Sequence, residues 1–173
     1  MKLKRKGEEM ATRQINVERF SLTSSKTFQD IVAALEEKIP RPDMNKFFKD
    51  VAASRTDDDL KRIVHDVVGP ADLMEFARFD QGLILRMELG AKAPRVLRLV
   101  AGNPLIMRQM VKLVPDAGSY APVTILIDER PDGVHLSYDR MASFIRSYGN
   151  AEALKVAEAL DSKVEALLEA AAL

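Results

Sequence analysis

An apolar strand that ends in Gly102-Asn103-Pro104 and continues as a helix is the clearest structural signal in this chain, over residues 95–107. Gly102 allows the tight exit from the strand, and Pro104 has its φ preset for a first helical position. The Asn103 side chain can accept hydrogen bonds from the first N–H groups of the helix. Because a helix N-terminus at a strand end also favours an anion or a polar ligand, this junction is a candidate binding site.

Charge and length point to one ordinary globular domain. The chain has 173 residues, of which 26 are basic and 26 acidic. This balance disfavours a nucleic-acid partner, and the length suffices for one substantial core. Residues 1–13 lack apolar periodicity and begin with several basic residues, so we expect a disordered basic tail there. A single domain is then expected over residues 14–173.

Several classes of protein are disfavoured by what the sequence lacks. No apolar run approaches the roughly 20 residues of a membrane-spanning helix, and Gly7-Glu8-Glu9 stands where a signal peptide would be apolar. We therefore expect a cytoplasmic protein with no membrane partner. The chain has no cysteine and only His65 and His135 as histidines. Because zinc and iron sites normally need three or more side-chain ligands, no metal and no cofactor is predicted.

Apolar periodicity and capping residues predict the order of strands and helices. Strands are expected at residues 15–22, with a bulge at 18–19, and at 73–79, 96–100, 122–128 and 134–138. Helix N-caps are expected at Thr27, Asp43, Thr56, Asn103, Asp139 and Asn150. Residues 82–89 fit either a short helix or a continuation of the preceding strand. The order predicts an α+β domain with an antiparallel or mixed sheet of four or five strands, helices packed against it, and a C-terminal helix.

Three sets of apolar residues are expected to face the core. One lies on the second helix, one is the scattered methionines, and one is a narrow seam on the C-terminal helix. We expect this last helix to dock mainly on its own subunit. The sets are Met44, Phe47, Phe48 and Val51; Met74, Met87, Met107, Met110 and Met141; and Ala153, Ala157, Leu160, Val164, Leu167 and Ala171.

The Gly102-Asn103-Pro104 turn and the hairpin that ends in Tyr138-Asp139 give the chain a resemblance to a bacterial family, domain of unknown function 302. Phe79-Asp80-Gln81 and Ile106-Met107 match further motifs of that family, and the resemblance covers roughly residues 15–138. It implies a compact α+β fold that tends to dimerise, with no established activity. The chain departs from the family at Gln81, where the family has His, and lacks the Gly-Thr-Pro that usually follows Gly-Asn-Pro.

Seven residues form the candidate ligand-binding set, and each also has an ordinary structural explanation. Asp80 lies near two arginines in sequence, which favours an ion pair, and Asn103 is more simply a helix cap. His135, Ser137 and Asp139 lie on one face of a strand, and each is about 7 Å from the next. This distance is too long for a compact catalytic triad. The set is Asp80, Gln81, Gly102, Asn103, His135, Tyr138 and Asp139.

These patterns favour a non-catalytic ligand-binding or sensing module that acts as a homodimer and takes a small polar or anionic ligand. No hydrolase, phosphate-loop or dinucleotide motif occurs, so the catalytic residues of any enzyme remain unknown. One alternative is an enzyme in which Asp80 is acid or base and Asn103 polarises a small polar substrate. A second is a purely structural interaction module. A pocket lined by Asn103, Tyr138 and Asp80 would favour ligand binding or catalysis, and a flat exposed apolar patch the interaction module.

Overall fold

Five strands form one fully antiparallel sheet in the computed structural model, which describes residues 11–173. The spatial order is β1-β5-β4-β3-β2, so that β2 to β5 form a meander and β1 returns to pair with β5. The strands are β1 (Arg19–Ser24), β2 (Met74–Asp80), β3 (Val96–Gly102), β4 (Val123–Arg130) and β5 (Gly133–Asp139). The predicted tail at residues 1–13 lies mostly outside the described residues.

Within residues 11–173, seven α-helices accompany the sheet and confirm the predicted α+β class. They are α1 (Phe28–Lys38), α2 (Met44–Ala53), α3 (Asp57–His65), α4 (Gln81–Leu89), α5 (Pro104–Val111), α6 (Met141–Ile145) and α7 (Ala151–Ala172). Five of the predicted N-caps accept hydrogen bonds from the first turn of their helices: Thr27, Asp43, Thr56, Asn103 and Asn150. Residues 82–89 are helical. None of the helices in the described part of the chain is long and apolar enough to cross a membrane.

The main core lies between one face of the sheet and the helices α1, α5 and α7. Ile31 and Leu35 of α1 meet strand residues such as Ile125 and Leu136, and all four are fully buried. The whole apolar seam of α7 is also buried, together with Leu168. The expectation that this helix docks on its own chain is therefore confirmed.

A second, smaller core holds the helices α2 and α3 beside the sheet. Its buried members are Phe47 of α2, Val64 of α3 and Met74 of β2. It is separate from the main core, so α2 and α3 are attached to the rest of the domain mainly through this cluster. A cavity lies between the two cores.

The structure corrects four details of the sequence prediction. Strand β1 begins only at Arg19, and the bulge lies in β2, between Glu75 and Ala77. Phe48 and Met87, expected in the core, are 58% and 86% exposed. An apolar residue at helical spacing does not have to face the core when a neighbouring residue already fills that place.

The fourth correction concerns the start of α6. Asp139 does not cap this helix, because its carboxylate is bound by the Arg19 guanidinium at 2.6 and 2.9 Å. The cap comes from the distant Asp161 of α7, whose carboxylate accepts from the N–H groups of Met141 and Ala142. A partner 20 residues away in sequence cannot be recognised from local spacing.

Candidate functional site

The strand-to-helix junction is held together by the side chain of Asn103. Its Oδ1 accepts from the N–H of Leu105 at 2.8 Å, which is the predicted cap of α5. Its Nδ2 donates to both the carbonyl oxygen and the carboxylate of Asp72, at 3.1 and 3.0 Å. Asn103 is only 6% exposed and both of its N–H bonds are used. It therefore caps the helix and ties the loop before β2 to it.

Beside this junction lies a cavity of about 610 Å³. Helices α2 and α3 form one wall, and α5 with the segment before β4 forms another. Fifteen of the seventeen lining residues have apolar side chains or are glycine, and only Asn103 and Arg108 are polar. The lining residues are Met44, Phe47, Phe48, Val51, Leu60, Phe76, Gly102, Asn103, Pro104, Ile106, Met107, Arg108, Met110, Ala121, Pro122, Val123 and Leu160.

Gly102 keeps one wall of this cavity closely packed. A Cβ atom added there would lie 3.2 Å from the Cβ of Pro122 and 3.5 Å from a ring carbon of Phe76. The contact with Pro122 is tighter than usual, the contact with Phe76 is ordinary, and both neighbours line the cavity. A side chain at position 102 would therefore shift Pro122 by a few tenths of an ångström. The φ of Gly102 is not positive, so the turn itself does not require glycine.

Arg108 is the single charged residue of the cavity lining. Its Nη1 donates to Asp57 at the start of α3, and Lys61 binds the other oxygen of the same carboxylate at 2.7 Å. Hydrogen bonds from Arg108 and then from Lys61 lower the pKa of Asp57 to about 2. Within residues 11–173, the Nε and Nη2 of Arg108 make no hydrogen bond.

Asp80 belongs to a different depression, which is lined by residues of α1, β2, α4 and β3. Its carboxylate accepts from Arg86 and from the N–H of Leu83, both at 2.8 Å, and thereby caps α4. Burial raises the pKa of Asp80, but these hydrogen bonds outweigh burial and leave it below the usual value. The two other arginines that line this depression, Arg78 and Arg95, are paired with glutamates. The whole cluster is satisfied internally, as structural ion pairs are.

Gln81, Tyr138 and Asp139 line a third depression, on the partly exposed face of the sheet. Asp139 is engaged by Arg19, and the Tyr138 hydroxyl donates to the buried Asp161 at 2.6 Å. Burial and the neighbouring carboxylate raise the pKa of Tyr138. Its hydroxyl therefore serves the internal cap of α6.

His135 stands apart from all three depressions, at the hairpin between β4 and β5. Its Nε2 lies 2.8 Å from a carboxylate oxygen of Asp132. The structure thus distributes the seven candidate residues over four places, and only Gly102 and Asn103 line the large cavity. Within residues 11–173 no three of the His, Asp and Glu side chains are grouped so that they could hold a metal ion.

Sequence reasoning missed most of the cavity, because its residues were assigned to the core. The signal was present on α2, where Phe47 and Phe48 are adjacent and point about 100° apart on the helix. One stripe cannot bury both rings, and Phe48 remains at the cavity rim. Met107 and Arg108 on α5 carried no comparable signal, since neither breaks the pattern of an amphipathic helix.

A family model described as "Domain of unknown function DUF302" matches residues 49–171 of this chain. The chain belongs to the DUF302 family. The match begins within α2 and runs to the end of α7, so it excludes β1 and α1 and extends beyond residue 138, where the sequence resemblance ended. All seven candidate residues and most of the cavity lining fall within the DUF302 match.

A solved structure shows the same DUF302 fold. The crystal structure of an uncharacterized conserved DUF302 protein from Bacillus stearothermophilus superposes with a TM-score of 0.62 at 10% sequence identity. The similarity covers 88% of this chain and 97% of the other. None of the curated proteins matches this chain.

Proposed function

We propose that this protein binds a small, mainly apolar molecule in the cavity beside Asn103. The observation that carries the proposal is the size and lining of that cavity, about 610 Å³ and almost entirely apolar. Sites for small molecules typically enclose roughly 300–1,000 Å³ and combine apolar walls with few polar groups. The apolar lining of this space faces water when no ligand is present, so a ligand that covers it gains the free energy of burying apolar surface.

The sequence predicted a small polar or anionic ligand at the N-terminus of α5, whereas the geometry of the cavity favours a mainly apolar ligand. The Asn103 side chain already accepts a hydrogen bond from the N–H of Leu105 and donates two to Asp72. A ligand in this cavity would meet mostly Phe, Met, Val and Leu side chains. The main part of the ligand is therefore apolar, with room for one polar group.

The test is binding of the neutral fluorescent probe N-phenyl-1-naphthylamine to the full chain. We expect saturable one-to-one binding, and at least tenfold weaker binding by Val51→Trp, in which the indole fills space beside α2. Met87→Ser is the matched control, because Met87 is an exposed apolar residue outside the lining. Circular dichroism and thermal melts establish that the variants are folded. Absence of saturable binding by the unmodified chain, or undiminished binding by folded Val51→Trp, contradicts the proposal.

The enzymatic alternative has less support. It requires Asp80 and Asn103 to act on one substrate, and the two residues line different depressions. A carboxylate whose pKa is held below its usual value is also a weak base at neutral pH. Both side chains are explained as helix caps, since each accepts from a backbone N–H of the helix that follows it.

We further propose that two copies of the chain associate through an apolar surface on β2 and α4. We call this the α4 surface, and its members are Phe79, Leu83, Ile84 and Met87, which are 51% to 86% exposed. At roughly 200 Å² for a large apolar side chain, they expose on the order of 500 Å² per chain. A standard interface buries about 800 Å² per partner.

A second copy is the occupant that this surface favours. In a two-fold dimer the same patch meets itself, so an apolar surface is complementary to its own copy without any special design. The apolar seam of α7 is already buried in the chain and cannot serve this purpose. A surface of this size on a monomer otherwise marks an interaction with another protein. A chain that is monomeric in solution would therefore favour the interaction module instead.

A further inference from the structure

We infer that the molecule bound in the cavity carries one anionic head group and that Arg108 binds this group. A carboxylate on a medium-length alkyl chain is the simplest ligand of this class. The inference rests on the proposed ligand binding. It adds a charged head group, by which the site would select one class of ligand among apolar molecules.

The cavity lining offers one place for a charged group. Fifteen of the seventeen lining residues offer no polar side-chain atom, and Asn103 is engaged on both donors. Arg108 alone brings a formal charge to the lining, and within residues 11–173 only its Nη1 has a hydrogen-bond acceptor. A charged group placed elsewhere in this cavity would be buried without a partner, which is strongly unfavourable.

The Arg108 guanidinium is held in position and is not neutralised outright. Asp57 binds Arg108 on one oxygen and Lys61 on the other, so one carboxylate is shared between two cations. Lys61 also lies 3.4 Å from Asp58, an exposed side chain that is open to solvent screening. An arginine fixed by one partner loses less conformational entropy when it binds a second.

Arg108 lies at the boundary of the apolar space. Its side chain is 38% exposed, and its neighbours in the lining include Met107 and Phe48 at the rim. A head group here could remain close to water while the alkyl chain entered the cavity. Arginine matches a carboxylate with two parallel hydrogen bonds, and such bonds are stronger where apolar walls lower the local dielectric.

The test compares decanoate with decanol, which have equal chain length and differ in the charge of the head group. Affinities are measured at neutral pH by displacement of N-phenyl-1-naphthylamine, below the concentration at which decanoate forms micelles. We expect the unmodified chain to bind decanoate at least tenfold more tightly than decanol. Arg108→Met should lose this preference and still bind decanol. Arg62→Met is the matched control, because Arg62 pairs with Asp59 on α3 and does not line the cavity.

The outcomes separate this inference from the proposed function. Equal affinity for decanoate and decanol, or a preference that persists in Arg108→Met, overturns the role of Arg108 and leaves the apolar site standing. Failure of the unmodified chain to bind either compound or the probe overturns both. If Arg108→Met no longer binds decanol, the preference is measured in Arg108→Gln, whose shorter polar side chain changes the wall least.

Discussion

Asn103 shows how much one side chain can do at the residue scale. It caps α5 and also binds Asp72, a non-glycine residue with a φ of 56°, in the left-handed region. We expect Asn103→Ala to lower the free energy of unfolding by about 1–2 kcal/mol, because the N–H of Leu105 loses its acceptor and two oxygens of Asp72 lose their donor. Urea denaturation measures this. Asn45→Ala, at an exposed position of α2, should leave the midpoint almost unchanged, and an equal effect of both substitutions would argue against a special role for Asn103.

A titration of Asp57 tests the ion pair at the cavity. The Arg108 hydrogen bond is the largest cause of its lowered pKa, about 2 against an ordinary 3.8. The stabilising contribution of this pair is therefore present above pH 3.8 and is lost as the pH falls through about 2. In Arg108→Gln we expect the pKa of Asp57 to move up towards 3.8. Carboxyl NMR measures the midpoint, and Arg62→Gln should leave it in place. A midpoint near 3.8 in the unmodified chain would show that the pair does not form in solution.

At the scale of elements, α6 depends on a residue of another helix. It has five residues and no capping side chain of its own, and Asp161 of α7 accepts from two of its N–H groups and from the Tyr138 hydroxyl. Burial raises the pKa of Asp161, although the same hydrogen bonds act in the opposite direction. The carboxylate therefore links β5, α6 and α7 in the interior of the domain.

Removing this carboxylate should destabilise the whole domain. We expect Asp161→Ala to lower the free energy of unfolding by about 2 kcal/mol, because three donors in a buried region lose their acceptor. Glu158→Ala is the control, since Glu158 is an exposed acidic residue of the same helix. Chemical denaturation of both variants gives the comparison. A loss no larger than that of the control would mean that water or another side chain replaces the carboxylate.

At the scale of the whole molecule, the proposed dimer depends on the α4 surface. Met87 is the most exposed of its residues, so Met87→Glu should leave the fold intact and place a charge in the centre of the interface. We expect the unmodified chain to have twice the mass of one chain by light scattering, and Met87→Glu to be monomeric. Lys155→Glu on α7, a larger charge change at another exposed site, should remain dimeric. A monomeric unmodified chain contradicts the proposed dimer.

Local signals were sufficient for most of the helices and strands, because helix caps and apolar periodicity act within a few residues. Thr27, Asp43 and Asn150 each accept from a backbone N–H two or three residues ahead, so their spacing alone identifies the helix that follows. The Pro131-Asp132-Gly133 turn predicted its hairpin in the same way. Residues 82–89 fit either a helix or a strand by local pattern, so the sequence left the choice open. The structure shows a helix, with Gly82 packed against the backbone of Val96.

The sequence by itself determined the α+β class, the Asn103 cap and the buried seam of α7, since each depends on contacts within one element or on a single apolar face. Only the tertiary structure decided which candidate residues share a site. It separated Asn103, Asp80 and Tyr138, supplied Asp161 to α6, and left a cavity between the two cores beside Arg108. A cavity is the space that several elements fail to fill together, so it is a property of their relative positions and leaves no periodic trace in any one of them.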